Sequence, residues 1–203
     1  AKKSGLLSGQ KVMSIPNPID THVFCREDQE KARIYAGLPA DKRLILFVSQ
    51  RVTDQRKGMD YFITAMNKMV EQHPEMRQNT GIAILGGQAE ELAEKLPLPS
   101  YPLGYVSDEK KIASVYNSVD MFVLPSLEDN LPNTIMEAMA CGVPCVGFNT
   151  GGIPEMIDHL KNGYVAEYKS VDDLAKGMHW VMCEADRESL AAEALRKVNT
   201  CYS

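Results

Sequence analysis

Basic side chains are concentrated in the stretch 51–58, directly after an apolar run that is typical of a buried strand. An arginine guanidinium presents a planar fork to two phosphate oxygens, and a lysine ammonium presents a compact positive charge. Arg51, Arg56 and Lys57 supply both types within a few positions. These residues predict a site that neutralises a diphosphate group, and a solvated polar loop is the alternative interpretation.

Carboxylates are the second group of side chains with possible chemistry, and they lie in the stretch 124–155. Glu128 and Asp129 precede a short predicted helix, and Glu137 lies within that helix among apolar residues. An unpaired carboxylate in apolar surroundings costs several kcal/mol. Glu137 is therefore expected either to pair with a cation or to contact a ligand.

A glycine pair, Gly151 and Gly152, follows the apolar run 143–148 and precedes a helix start at Pro154. A strand, a glycine turn and a helix N-terminus in this order favour an anion, because free N–H groups and the helix dipole point toward it. A turn that needs positive φ is the other explanation of the glycines, and both explanations can hold, since bare backbone also lets a ligand approach.

Apolar runs alternate with amphipathic segments along the rest of the chain. Strands are predicted at 44–48, 82–85, 101–106, 121–124, 143–148 and 163–166. Helices are predicted at about 26–36, 59–70, 89–96 and 132–142, from a cap at Ser107, from a cap at Ser170 to about Cys183, and from Asp186 onward. Units of roughly thirty residues imply right-handed βαβ crossovers and a doubly wound parallel α/β sheet with helices on both faces. Ligands of such sheets bind beyond the carboxyl ends of the strands, where both stretches described above lie.

The composition argues against several classes of function. Lys and Arg total 22 against 27 Asp and Glu, and the net charge of −5 argues against a nucleic-acid or anionic-membrane surface. No apolar run approaches the roughly eighteen residues of a membrane span. The 5 cysteines include no C-x-x-C pair, which favours reduced thiols, and the 4 histidines show no metal-ligand spacing. The phosphate loop G-x-x-x-x-G-K-[ST], a G-x-G-x-x-G turn after the first strand and a G-x-S-x-G elbow are all absent.

The stretch 124–155 resembles the nucleotide-binding half of the retaining glycosyltransferases of family four, which have the two-domain GT-B fold. The resemblance is carried by Pro125-Ser126, Glu137-Ala138-Met139-Ala140, Gly142-Val143-Pro144 and Gly151-Gly152-Ile153-Pro154-Glu155. It implies that residues 26–203 form a Rossmann-like donor-binding domain, one half of a GT-B fold, and that residues 1–25 are the linker leading into it. It also implies that the N-terminal acceptor domain is absent from this chain, which starts without Met.

In that family two acidic residues separated by seven others flank the donor sugar and the nucleotide. Glu137 matches the second of them, which contacts the ribose. Asp129 has the spacing of the first but is not a glutamate, whereas Glu128 has the family's side chain one residue too far away. Asp129 is the preferred match, and Glu128 stays open as its competitor.

The same resemblance implies the other donor contacts. The phosphate-contacting Lys-Gly of the family matches Lys57 and its neighbour, while Arg51 and Arg56 compete for the role of the family's arginine. The backbone at Val106 is expected to meet the nucleobase. The remaining expected donor-binding residues are Asn130, Leu131, Thr150, Gly151 and Gly152.

The implied function is retaining transfer of a glycosyl group from a UDP-, GDP- or ADP-sugar to a sugar or lipid-linked acceptor, in polysaccharide or other glycan biosynthesis. The enzyme would be a hexosyltransferase-type glycosyltransferase, with this chain inactive alone. No metal or other cofactor is expected, since no D-x-D pair stands beside the phosphate loop. A cytoplasmic location is expected, with the full-length protein peripheral to the inner face of the membrane. Two alternatives are a sugar-nucleotide epimerase of GT-B architecture and a nucleotide-sugar-binding module without turnover.

Overall fold

The computed structural model describes residues 17–51 and 54–203, and for Gln50 and Arg51 it describes the backbone alone. The strands are β1 Arg43–Arg51, β2 Thr80–Gly87, β3 Ser100–Gly104, β4 Met121–Leu124, β5 Cys145–Phe148 and β6 Gly163–Ala166. The helices are α1 Gln29–Ala36, α2 Met59–Gln72, α3 Met76–Asn79, α4 Ala89–Ala93, α5 Glu109–Asn117, α6 Asn133–Ala140, α7 Ile153–Met156, α8 Val171–His179 and α9 Arg187–Cys201. A 3₁₀ turn, Gln55–Lys57, precedes α2, and a π turn, Trp180–Glu184, continues α8.

The strands of the described residues form one parallel sheet in the order β3-β2-β1-β4-β5-β6. The prediction of a doubly wound α/β sheet of about six strands is confirmed. The strand order changes direction between β1 and β4, which are neighbours although β2 and β3 separate them in the sequence. Connections at such a switch point leave the two strands toward opposite faces, so a crevice opens beyond their carboxyl ends.

Helices cover both faces of the sheet because its central strands are apolar on both sides. Along β1, Leu44 and Leu46 join the core that contains α5, α6 and α9. Ile45 and Phe47, the residues between and after them, join the core that contains α2, α4 and α8. All of these side chains are fully buried, and burial of one such side chain contributes about 1.5–3 kcal/mol. This two-sided burial explains the uninterrupted apolar runs that predicted the strands.

Aspartate side chains fix the starts of two helices, and both predicted starts were wrong for that reason. Asp28 accepts a hydrogen bond from the Lys31 N–H, so α1 begins after this cap rather than near Arg26. Asp108 caps α5 by accepting from the backbone N–H groups of the first turn, whereas the prediction placed the cap at Ser107. For α5, Ser107 lies one residue too early in the chain to reach the first helical N–H groups.

The caps predicted at the start of α8 and α9 are confirmed. Ser170 accepts a hydrogen bond from the Asp173 N–H, and Asp186 accepts one from the Glu188 N–H. α8 ends at His179, earlier than predicted, because its last carbonyls continue into the π turn. A π turn has hydrogen bonds between residues i and i+5 instead of i and i+4, so the chain continues as a helix but no longer as an α-helix.

Several other predicted boundaries were wrong by a few residues. β1 and β2 extend beyond their predicted ranges at both ends, and α6 ends at Ala140 rather than 142. α4 ends at Ala93 rather than 96, and β5 begins at Cys145 rather than 143. β3 ends at Gly104 rather than 106, because Gly104 has a φ of +66° and turns the chain out of the sheet. Pro132, predicted in the first turn of α6, is extended with a ψ of 116° and directly precedes the helix.

The segment 17–25 of the predicted linker packs on the domain. The Ile19 N–H donates to the Tyr202 carbonyl at the end of α9, with a distance of 2.9 Å. The Phe24 ring meets the Tyr116 ring edge to face, with ring centroids 6.4 Å apart. Residues 1–16 of the predicted linker lie outside the described residues.

Candidate functional site

The loop after β1 is shaped so that Lys57 reaches the loop after β4. Asp54 accepts a hydrogen bond from the Arg56 N–H and caps the 3₁₀ turn that carries Lys57. Gly58 ends this turn with a φ of +71°, and a Cβ atom there would lie 1.9 Å from the Pro125 carbonyl oxygen. Only glycine fits such a conformation and such a close approach. The two loops therefore touch backbone to backbone.

Two polar contacts join these loops. The Leu127 N–H donates to the Arg56 carbonyl at 2.8 Å. The Lys57 ammonium donates to Asp129 Oδ2, also at 2.8 Å. The Lys57 side chain is 30% exposed and that of Asp129 is 16% exposed, so this ion pair is partly screened from water. An ammonium has three N–H donors, and Asp129 uses one of them.

The loop after β5 closes on the acidic loop from the other side. A Cβ atom on Gly151, which has a φ of +54°, would lie 1.6 Å from the Asp129 carbonyl oxygen, and one on Gly152 would lie 1.9 Å from the Asn130 carbonyl oxygen. The Thr150 hydroxyl donates to the Leu127 carbonyl at 3.3 Å. The glycine pair thus serves the close packing of two loops, and the space in the direction of each missing side chain belongs to protein backbone rather than to a ligand.

An open cleft of about 570 Å³ lies between these three loops. Its lining residues are Arg56, Lys57, Glu128, Asp129, Asn130, Thr150 and Gly151. All seven were predicted from the sequence as site residues or their competitors, and they come together from loops that follow β1, β4 and β5. The cleft offers cations and carboxylates side by side, which suits a ligand that has phosphates and hydroxyl groups.

The sequence left two residue assignments open, Asp129 or Glu128 for the first carboxylate and Arg51 or Arg56 for the arginine, and the structure describes the surroundings of these residues. Asp129 is the carboxylate that contacts Lys57, while Glu128 lines the same cleft as an exposed side chain. Arg56 lines the cleft and forms an ion pair with Asp54, whose pKa is lowered chiefly by the hydrogen bond from Arg56. The Arg51 backbone pairs with Gly87 in the sheet, and its side chain lies outside the described part of the chain.

Four predicted site residues do not line the cleft. Gly152 is buried, and Leu131 and Val106 pack against the core beneath α5 and α6. Glu137 lies on α6 and faces α5, where its carboxylate accepts a hydrogen bond from the Tyr116 hydroxyl at 2.9 Å.

Glu137 has no cation partner among the described residues, and the hydrogen-bond donor that it contacts there is the neutral Tyr116 hydroxyl. Burial raises the pKa of Glu137, and the negative charge of Glu109 adds to this rise while the Tyr116 hydrogen bond opposes it. Tyr116 itself was not predicted as a site residue, because it reads as one more apolar residue of its helix. A half-buried carboxylate held by one neutral donor keeps acceptor capacity for a ligand hydroxyl.

Comparison with known proteins gives the family of this chain. The family model for glycosyl transferases group 1 matches residues 42–184. An uncharacterised glycosyltransferase of Methanocaldococcus jannaschii is 32% identical over 180 residues, which are 87% of this chain and 45% of the relative. The chain spans about half the length of the curated relatives it matches.

Solved structures show the same fold. The C-terminal domain of a glycosyl transferase group 1 protein of Francisella tularensis matches with a TM-score of 0.75 and 24% identity, over 91% of this chain and 98% of that chain. Anabaena HepE in complex with UDP-glucose matches with a TM-score of 0.74 and 21% identity, over 93% of this chain and 53% of that chain. The sheet order, the loops that meet at its switch point and the match over most of the sequence agree: this chain belongs to the glycosyl transferases group 1 family and has the Rossmann-like fold of one half of a GT-B enzyme.

Proposed function

We propose that this chain is the donor-binding domain of a retaining glycosyltransferase that uses a nucleoside-diphosphate sugar. The observation that carries the proposal is the contact between Lys57 and Asp129 in the cleft at the switch point of the sheet. It places a cation suited to phosphate beside a carboxylate suited to sugar hydroxyl groups. The acceptor domain would lie outside residues 26–203, which is supported by the partial coverage of the relatives.

Lys57 is the proposed catalytic cation. Asp129 orients its ammonium and leaves two N–H donors for phosphate oxygens. A positive charge held in place before the reaction stabilises the negative charge that develops on the departing diphosphate. Arg56 is the proposed second cation, since it lines the cleft, and Arg51 stays the alternative.

Carboxylates are proposed to hold the hydroxyl groups of the donor. Asp129 keeps Oδ1 as an acceptor for the transferred sugar, because its contact with Lys57 uses Oδ2. Glu137 is proposed to accept from the ribose, with Tyr116 fixing the orientation of its carboxylate. The backbone at Val106 is proposed to meet the nucleobase, since the loop after β3 leaves the same edge of the sheet.

The proposal needs no metal in the cleft, because Lys57 and Arg56 supply the positive charge there. The nucleobase, the sugar and the acceptor stay open, and UDP is the first nucleotide to test because HepE was solved with UDP-glucose. A cytoplasmic location and a role in glycan biosynthesis stay predictions. No helix of residues 17–51 and 54–203 is long and apolar enough to span a membrane.

Thermal unfolding against UDP, GDP, ADP and their sugar conjugates tests the proposal. A ligand at a hundred times its dissociation constant adds about 2.7 kcal/mol to the free energy of unfolding. Stabilisation by one nucleotide family, reduced in Glu137→Ala and retained in the exposed control Glu30→Ala, is the expected result. A chain that responds to none of these ligands contradicts the proposal. Incubation of the full-length enzyme with labelled donor and no acceptor distinguishes an epimerase, which converts the donor alone.

A further inference from the structure

Two histidines far apart in the sequence stack on each other. His73 follows the last turn of α2, and His179 is the last residue of α8. Their imidazole centroids are 3.6 Å apart, with 14° between the ring planes. The sequence shows no metal-ligand spacing among the histidines, and this pair is brought together only by the packing of α2 and α8.

The histidine pair lies at the edge of the sheet opposite the donor cleft. α2 begins next to Lys57 beyond the carboxyl end of β1 and runs back to the amino end of β2. Helices of parallel βαβ units run antiparallel to their strands, so the C-termini of α2 and α8 both lie at the amino edge. The residues at this edge play no part in the proposed binding of the donor.

Carboxylates flank both rings. Nδ1 of His179 is 3.0 Å from Glu184 Oε1, and Nδ1 of His73 is 3.6 Å from Glu75 Oε1. His73, Glu75 and His179 each offer one ligand atom, and these three atoms lie within 4.8 Å of one another. Tetrahedral Zn²⁺ with ligand distances near 2.1 Å holds its ligand atoms about 3.4 Å apart. To bring these three groups to coordination distance, at least one imidazole must rotate out of the stack, because the in-plane lone pairs of nearly parallel rings do not converge on one ion.

The surroundings also favour a cation. The last carbonyl groups of α2 give this helix end a partial negative charge, and the His73 backbone N–H bonds the Met69 carbonyl within it. The His179 and His73 side chains are 17% and 33% exposed, whereas Glu184 and Glu75 are 57% and 66% exposed. Packing thus holds His179 more firmly, whereas His73 and the two carboxylates have room to move onto an ion.

We propose that His73, Glu75 and His179 form a binding site for a divalent transition-metal cation. Two imidazoles with one carboxylate are a ligand set that suits Zn²⁺ and, in the same class, Co²⁺ or Ni²⁺. A carboxylate beside one imidazole nitrogen leaves the lone pair on the other nitrogen for the metal, and Glu184 has this position beside His179. The ion would join the C-terminus of α2 to that of α8.

Isothermal titration calorimetry tests this site: the chain is freed of metal with a chelator and then titrated with Zn²⁺ alone. One ion per chain is expected, with an affinity that falls at least tenfold in His73→Ala and in His179→Ala. His22→Ala, which removes an exposed histidine elsewhere, is the matched control and is expected to bind as the wild type does. Co²⁺ in place of Zn²⁺ is expected to give a visible absorption band that Glu75→Gln alters in position or intensity.

Thermal unfolding in the presence of a chelator shows whether each variant folds. If a histidine variant does not fold, Glu75→Gln keeps the test valid, because the Glu75 side chain is exposed and its substitution is expected to leave the fold intact. Zn²⁺ is expected to raise the Tm of the wild type and of His22→Ala, but not the Tm of His73→Ala or His179→Ala. Absence of saturable binding overturns the proposal. Binding that survives in both histidine variants and disappears in Cys183→Ser also overturns it, since the exposed Cys183 thiol would then be the ligand.

Discussion

Lys57 and Asp129 form a 2.8 Å ion pair although 72 positions separate them in the sequence. The pair exists because the loops after two neighbouring strands touch through Gly58 and Pro125. Neither residue belongs to a strand or an α-helix, so the sheet positions them only through these loops. This arrangement makes the ion pair the most direct point at which to test the donor site.

Lys57→Ala is expected to weaken binding of a nucleoside diphosphate about tenfold to a hundredfold. A hydrogen bond to a charged group contributes about 1.5–3 kcal/mol, and the substitution also leaves the Asp129 charge facing the phosphates. Isothermal titration with the nucleotide that stabilises the chain measures the effect. Lys31→Ala, on the exposed side of α1, is the control. Equal affinities of Lys57→Ala and wild type would refute the phosphate role.

Asp129→Asn is expected to lower the affinity for the sugar conjugate about tenfold more than the affinity for the nucleotide alone. The reason is that the carboxylate is proposed to accept hydrogen bonds from the sugar, each contributing about 1.5 kcal/mol. Glu128→Gln is the matched control, because Glu128 is exposed in the same cleft. If only Glu128→Gln lowers the affinity for the sugar conjugate, Glu128 rather than Asp129 is the carboxylate that contacts the transferred sugar.

Gly151→Ala is expected to destabilise the chain and to displace the acidic loop. The added Cβ would lie 1.6 Å from the Asp129 carbonyl oxygen, in addition to the strain of a positive φ. Gly37→Ala is the matched control, since Gly37 also has a positive φ, +68°, but nothing lies within 4 Å of its Cβ position. The control is expected to lose about 1 kcal/mol from conformational strain alone. Denaturant unfolding measures the free energy of unfolding of both variants. Equal losses in Gly151→Ala and Gly37→Ala would show that the contact between the two loops is not tight.

Glu137→Gln is expected to change how stability depends on pH. The pKa of Glu137 is raised above its usual 4.5, so the folded chain binds this proton more tightly than the unfolded chain does. The free energy of unfolding of the wild type therefore falls as the pH rises from 4.5 through the raised pKa. The stability of Glu137→Gln minus that of the wild type should grow over this window. Unfolding curves at several pH values measure it, with Glu30→Gln as a control that should track the wild type.

Asp120→Asn is expected to cost about 3–5 kcal/mol, because it breaks a buried ion pair. Asp120 accepts from the Leu44 N–H at 2.7 Å and contacts Arg33 at 2.9 Å and Arg187 at 2.7 Å. It thereby joins β1 and the start of β4 to α1 and α9. Glu193→Gln removes an exposed pair with Arg196 and is expected to cost at most about 1 kcal/mol. Similar losses in both variants would show that burial does not strengthen the Asp120 contacts.

The predicted fold followed from local patterns. Apolar runs such as the one around Phe47 predicted the strands, because a strand covered on both faces has no polar side. Helix starts were missed where two polar residues in succession could each act as cap, as with Ser107 and Asp108. The choice between them depends on which side chain reaches the first N–H groups, and the sequence does not contain that geometry.

Sequence alone determined the α/β class, the parallel sheet and the placement of the reactive loops at one edge, because these depend on periodicity and on the order of elements. The tertiary structure decided which residues meet. Lys57 pairs with Asp129 rather than with Glu128, the Tyr116 hydroxyl donates a hydrogen bond to Glu137, and His73 stacks on His179. Each of these contacts joins residues from different elements, and their meeting depends on strand order and loop path rather than on local residue types.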